Sequence, residues 1–161
     1  MKRLIVVSDS HGNAKAVEKL LPLIKENHYF VHLGDGLSDL RRVLEEFPKK
    51  TCFCLGNCDF YGGVSDEGIL EVEQVKIFYC HGHAYGVKSD LNRLAREAKS
   101  KGCKVALFGH THRPLITEEE GVTLINPGSL RMPTEAGGTY CYMVVTGEKV
   151  VATIVGQGLV F

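Results

Sequence analysis

Five short motifs carry the side chains that could do chemistry. Asp9–Ser10–His11 places a carboxylate two positions from an imidazole, and Gly34–Asp35–Gly36 sets a carboxylate between two glycines. Gly56–Asn57–Cys58–Asp59 offers an amide, a thiol and a carboxylate, while His81–Gly82–His83 and Gly109–His110–Thr111–His112 add imidazoles. Each has an ordinary explanation when taken alone. Gly–Asp–Gly reads as a turn, Asp–Ser–His as the entry to a helix, Asn57 as a turn asparagine and His81 as a core histidine. Taken together, Asp9, His11, Asp35, Asn57, His81, His110 and His112 form a donor set of oxygens and imidazoles with no required thiolate. That set suits Mn²⁺, Fe²⁺, Ni²⁺, Zn²⁺ or Mg²⁺, with histidine arguing against Mg²⁺ alone. Seven ligands sharing one carboxylate would hold two ions about 3.5–4 Å apart, the geometry of two-metal hydrolysis. Asp35 is the expected bridge, because an anion between two dications offsets their repulsion.

The elements that must position these motifs can be read in outline. Leu4–Val7 is a continuous apolar run, expected to be a strand buried on both faces. Asn13 is placed to cap a helix with Val17, Leu20, Leu21 and Ile24 on one face, and Pro22 should kink or end it. Tyr29–Leu33 is a second strand, delivering Asp35. Ser38 is expected to cap a helix striped by Leu40, Val43, Leu44 and Phe47 and stopped by Pro48. Thr51–Leu55 is a third strand ending at the Gly56 motif. Ile69–Val72 and Val75–Cys80 read as a hairpin running into His81. A helix capped by Ser89 carries Leu91, Leu94, Ala95 and Ala98 and ends at Gly102. Lys104–Phe108 and Val122–Ile125 are further strands, the latter entering the turn Asn126–Pro127–Gly128–Ser129. Tyr140–Thr146 and Lys149–Val155 pair across Gly147–Glu148 as a type II′ hairpin. Every motif thus follows the end of a strand, where α/β sheets gather their ligands. The reading is one α/β domain over residues 1–161, with antiparallel strands in its second half.

Bulk properties narrow the partners. Nineteen basic side chains balance nineteen acidic ones, so no broad attraction to extended nucleic acid or an anionic membrane is expected. No stretch approaches the roughly 20 apolar residues of a membrane span. The apolar start is too short for a signal peptide. Cys52, Cys54, Cys80, Cys103 and Cys141 lie in or beside apolar runs, as buried reduced thiols do, which points to the cytoplasm. A zinc site from Cys52, Cys54 and Cys58 is the weaker alternative, since C-x-C-x-x-x-C lacks a second knuckle.

The motifs, in this order, resemble those of the calcineurin-like metallophosphoesterase superfamily. The closest resemblance is to its small YfcE-like phosphodiesterases, a branch related to the metallophosphoesterase-like scaffold subunit of retromer. D-x-H, G-D, G-N-x-[DE], H-G-H and G-H-T-H all appear, and the match runs from about Leu4 to Ser129. The resemblance implies a four-layer α-β-β-α sandwich of two mixed β-sheets flanked by helices. It implies phosphoester hydrolysis, with Asp9, His11, Asp35 and His112 holding one ion and Asp35, Asn57, His81 and His110 the other. Manganese leads the expected metals, and a water or hydroxide bridging the ions would be the nucleophile. The rival is a non-catalytic scaffold of the same fold; scaffold members tend to lose ligands, and here every position is filled.

One departure affects the chemistry. Many members carry histidine after the motif asparagine, where it contacts substrate and can protonate the leaving group; here the residue is Cys58, as in the YfcE-like branch. The expectation is a preference for good leaving groups, or a proton drawn from His83 or metal-bound water. Asp59 is expected to orient a ligand or turn, and His83 to reach the substrate. Arg131 and Lys88 are candidates for phosphate contact or for plain solvent exposure. No role is assigned to His28 or His32. The loops 60–68, 84–88 and 130–138 are expected to set the choice of small phosphoester, and the C-terminal hairpin could support a homodimer.

Overall fold

The computed structural model of the chain describes residues 1–131 and 137–157. Ten strands form two five-stranded sheets. The first takes β1 (Lys2–Val7), β2 (Tyr29–His32), β3 (Thr51–Phe53), β9 (Thr139–Thr146) and β10 (Lys149–Gly156) in the order β10-β9-β1-β2-β3. The second takes β4 (Glu67–Val72), β5 (Val75–Cys80), β6 (Val105–Leu107), β7 (Leu115–Glu119) and β8 (Val122–Asn126) in the order β4-β5-β6-β8-β7. Each sheet has three neighbouring parallel strands: β1, β2 and β3 at one side of the first, β5, β6 and β8 in the middle of the second. The remaining strands pair antiparallel.

The burial pattern explains the apolar runs. In β1, Leu4 and Val6 pack between the sheets with Val31, Ile77, Leu107 and Met143. Ile5 and Val7 face the other way, against Val17, Leu21, Ile24 and Val43 of helices α1 (Ala14–Glu18), α2 (Leu21–Glu26) and α3 (Arg41–Glu46). On the far side of the second sheet, Phe78, Ala106 and Leu124 pack against Leu94, Ala95 and Ala98 of α4 (Asn92–Ser100). Helices, sheet, sheet and helix make the four layers expected. A strand covered on both faces has no polar side to show, which is why β1 reads as an unbroken apolar run.

Asn13 caps α1 as expected, its Oδ1 accepting the Ala16 N–H. Pro22 lies in the first turn of α2, where a missing N–H costs nothing, so the predicted break falls just before it. Gly102, with φ of 72°, follows α4, and Gly147, with φ of 59°, opens the last hairpin. Two cap expectations fail. Ser38 sits inside a 3₁₀ turn, Leu37–Leu40, and the free N–H groups there are taken by Asp59 from another loop. Ser89 precedes α4 by too much; Asp90 Oδ1 accepts the Asn92 N–H instead. Strand β7 was not anticipated: it is an edge strand, mostly exposed, and carries no buried stripe to betray it.

The thiols of Cys54, Cys80, Cys103 and Cys141 are buried and all six cysteines are free. Cys54 belongs to the core between the sheets, whereas Cys58 is exposed beside His11 and Asp35. The C-x-C-x-x-x-C zinc alternative is therefore set aside.

Candidate metal centre

The carboxyl ends of the parallel strands point to one edge of the sandwich, and five of them deliver the motifs. β1 leads to Asp9 and His11, β2 to Asp35, β3 to Asn57, β5 to His81 and β6 to His110 and His112. The turns are locked to one another through the backbone. Asp9 N–H donates to Gly34 O, His11 N–H to Asp35 O and Gly109 N–H to His81 O, each at 2.9–3.0 Å. Glycine is required where these turns touch. A Cβ on Gly56 would overlap Asp35 Oδ1, and one on Gly109 would overlap Ser8 Oγ.

The ligand candidates are held in an unusual backbone state. Among the described residues, seven non-glycine positions have positive φ, and five of them are Asp9 (53°), His11 (43°), Asp35 (56°), His110 (69°) and His112 (62°). Left-handed backbone disfavours residues with a Cβ, at a cost of about 1–3 kcal/mol each. The surrounding hydrogen bonds must hold that strain, and its concentration here aims the side chains inward.

Two groups of donors result. In one, Asp9, His11 and His112 each offer an atom, all within 4.8 Å of one another; in the other, Asp35, His81 and His110 do the same. Asp35 stands between them, its Oδ2 3.6 Å from His11 Nε2 and 3.2 Å from His81 Nε2. The structure therefore brings six of the seven predicted ligands together, with Asp35 in the middle position. The seventh, Asn57, is exposed, and its amide donates to Cys58 Sγ at 3.5 Å.

Several atoms are arranged as a cation would require. Asp9 is fully buried, and its Oδ1 accepts no hydrogen bond, although Oδ2 takes the Ser8 hydroxyl and the His110 N–H. Around that orphaned oxygen lie the Nε2 atoms of His112, His11 and His81, at 3.1, 3.4 and 3.9 Å. Ring nitrogens also face one another: His11 Nε2 and His112 Nε2 at 3.3 Å, His110 Nδ1 and His81 Nε2 at 3.2 Å. A buried carboxylate oxygen without a partner is costly, and imidazole nitrogens converging on it leave a position that a cation would fill. A pair of divalent ions would satisfy both, so the residues present fit the metals expected of them.

The electrostatics follow from burial and contacts. Burial alone would raise the Asp35 carboxyl; the bond from His81 and the Cys58 N–H, at 2.7 Å, outweigh it and hold Asp35 well below the usual carboxylate range. It is anionic at any physiological pH. For His81 burial acts to lower the pKa, but the Asp35 bond and the charges of Asp9 and Asp35 win and raise it. His81 Nδ1 donates to Leu33 O at 2.7 Å, which fixes the ring and leaves Nε2 turned toward the carboxylates. Burial lowers His110, helped by the charges of His81 and Lys88. Burial, then Asp35, push the Cys58 thiol up.

The other candidates fall into two sets. Asp59 lines the cavity, but its two oxygens are taken by the backbone: they accept the N–H groups of Asp35, Gly36, Leu37 and Gly56 at 2.7–3.1 Å, tying the β2 and β3 turns together. Cys58 reaches the centre, within 4.8 Å of His11 and Asp35, and Arg131 is exposed at the mouth of the same cavity of about 280 Å³. His83 packs beside His81 with ring centroids 5.5 Å apart, its Nδ1 buried without a partner.

His32 was passed over and has a place. Fully buried, it accepts the Gly34 N–H on Nδ1, so Nε2 carries the proton and donates to Ser10 Oγ at 2.9 Å. Ser10 in turn donates to Asp39 Oδ2 at 2.6 Å, which also takes the Gly12 N–H. This chain braces the Asp9–Gly12 turn from below. The available signal was a histidine inside an apolar strand, which alone does not say what it bonds.

Fold and donors are those of a metallophosphoesterase scaffold, and the comparisons agree. Residues 1–149 match the calcineurin-like phosphoesterase superfamily domain, and the chain belongs to that family. A Bacillus subtilis (strain 168) protein named "Probable metallophosphoesterase YsnB" is 34% identical over 157 residues, covering 94% of this chain and 88% of its own. "Phosphodiesterase YfcE" of Escherichia coli (strain K12) is 27% identical over 160 residues, covering 83% and 82%. Among solved structures, a predicted phosphoesterase from Streptococcus pneumoniae TIGR4 superimposes with a TM-score of 0.82 at 25% identity, over 97% of this chain and 90% of that one. Vacuolar Protein Sorting 29 from Cryptosporidium parvum, at 16% identity and TM-score 0.75 over 96% of each chain, shares the fold. Among the described residues, no helix is long and apolar enough to cross a membrane.

Proposed function

We propose that this protein is a phosphodiesterase using two divalent metal ions, manganese first among them, to hydrolyse small phosphoesters in the cytoplasm. The observation that carries the reading is the orphaned, fully buried Asp9 Oδ1 amid three imidazoles, with Asp35 Oδ2 standing between His11 of one donor group and His81 of the other. Asp9, His11, Asp35 and His112 would hold one ion and Asp35, Asn57, His81 and His110 the other, with Asn57 turning in from its exposed position. When bound, such ions supply Lewis acidity that makes water a competent nucleophile near neutral pH and neutralises phosphoryl charge.

The chain's own groups do the rest. Asp35 remains an anion because His81 and the Cys58 N–H hold it so. His81 keeps a fixed orientation through Leu33 O. Asp59 keeps the Asp35 and Gly56 turns in register without touching substrate. Cys58, at the mouth, keeps its proton at neutral pH and is a weak acid toward a leaving group, which favours esters that leave readily. Arg131 lies where a phosphoryl oxygen would enter.

A protein-binding scaffold is the second reading, supported by the shared fold with Vacuolar Protein Sorting 29. That every ligand position carries a competent donor, six of them converging, favours the enzyme. The test is to strip the protein with chelator, restore Mn²⁺ and assay an aryl phosphodiester. Activity that returns with metal supports the reading, and none with any divalent ion overturns it.

A further inference from the structure

Alongside the centre runs a groove of about 710 Å³, within the size range of small-ligand sites. It begins at Thr111, the residue between two ligand histidines, and its walls include Lys88, Asp90, Leu91, Arg113 and Leu115. Val87 and Phe108, both buried, form its apolar floor.

The charges in the groove are uneven. Lys88 and Arg113 are exposed, and among the described residues neither has a carboxylate within ion-pair distance. Asp90 is the one acid on the wall, and its Oδ1 is occupied by the Asn92 N–H. A second cavity, of about 280 Å³ beside His81 and His83, has the opposite character: Asp66 and Glu67 line it, and Tyr85 donates to Glu67. An anionic group reaching out from the metal centre thus meets exposed cations in the groove, whereas the second cavity offers it carboxylates, of which Glu67 is already paired with Lys101 at 3.6 Å.

We infer that the groove holds the second arm of the diester, and that the preferred arm has an apolar body ending in an anionic group met by Lys88 and Arg113. This rests on the phosphodiesterase reading and sharpens it, from any small diester to one bearing a further carboxylate or phosphate. Thr111 keeps the two ends together. Its Oγ1 accepts from Asn126 Nδ2 at 3.0 Å and from the Arg113 N–H at 3.2 Å, so the turn that carries His110, His112 and Arg113 is tied to the end of β8.

The experiment separates the groove from the hydrolysis. Metal-stripped, ¹⁵N-labelled protein is titrated with phenyl phosphate, benzoate, benzyl alcohol and benzylamine, which share an apolar ring and differ in charge. The two anions should shift the amides of Val87 to Leu91, Thr111, Arg113 and Leu115, the dianionic phosphate more tightly than the carboxylate. The alcohol and amine should bind at least about tenfold more weakly, as loss of a charge-assisted hydrogen bond predicts. K88A and R113A should each weaken anion binding by about the same factor. Shifts elsewhere, equal binding of the neutral ring, or variants that bind like wild type would overturn the proposal. With metal restored, an aryl diester bearing a carboxylate on one arm should show about tenfold higher kcat/KM than its neutral twin, expressed in KM, and K88A should shrink that ratio. Hydrolysis without discrimination sinks the inference and leaves the phosphodiesterase reading standing. Anion binding in the groove without hydrolysis of either diester overturns the substrate role and that reading together.

Discussion

Asp59 accepts the backbone N–H of Asp35 at 2.7 Å, so the carboxylate at the centre of the site is aimed by a second carboxylate whose oxygens are spent on the backbone. The same side chain gathers three further N–H groups from two turns. Orienting partners of this kind typically govern metal affinity over about 10–100-fold. Asp59→Asn should therefore keep the fold and lower metal affinity and turnover by that order, read by metal titration alongside circular dichroism. An Asp59→Asn protein with wild-type metal affinity would show that the turns hold themselves.

His32 offers a pH test independent of activity. Burial lowers its pKa from 6.5 to about 4. The unfolded chain then takes up a proton near pH 6.5 that the native state refuses until about pH 4, so the native state binds fewer protons in between. Stability rises with pH across that window and is lost as pH falls through it. From pH 7 to 5 the His32 contribution should drop by about 2 kcal/mol. Denaturant unfolding of metal-stripped wild type and His32→Gln measures it: the stability gap between them should narrow toward pH 5. A gap that does not change with pH would contradict the assignment.

Cys58 bears on leaving groups. Its thiol, pushed up by burial and Asp35, gives up a proton reluctantly. Cys58→His places a better proton donor at the same mouth, and turnover of poor leaving groups should rise relative to good ones. Plotting rates against leaving-group pKa for both proteins gives the answer; parallel lines would mean that Cys58 only packs beside the site.

How far the sequence carried depended on whether a residue's partners were near it in the chain. The strand Leu4–Val7 was legible because both of its faces are buried, so the pattern is local. Asp9, His11, Asp35, His81, His110 and His112 were legible because each follows a strand end in a familiar order. Ser38 and Ser89 were misread as caps because sequence shows the available hydroxyl but not the competitor, Asp59 in one case and Asp90 in the other. His32 stayed unassigned because its partners, Ser10 through the ring and Asp39 beyond it, lie 22 and 7 positions away on other turns. Strand β7 is exposed at a sheet edge, where pairing rather than patterning makes the strand. Part of the 130–138 loop lies outside the described residues.

The central claim is that Asp35 is shared by a pair of ions. Crystals grown in Mn²⁺ and measured for anomalous scattering test it most directly. Two peaks about 3.5–4 Å apart, one on each side of the Asp35 carboxylate, are the expected result. A single peak, or two peaks with Asp35 touching neither, would contradict it.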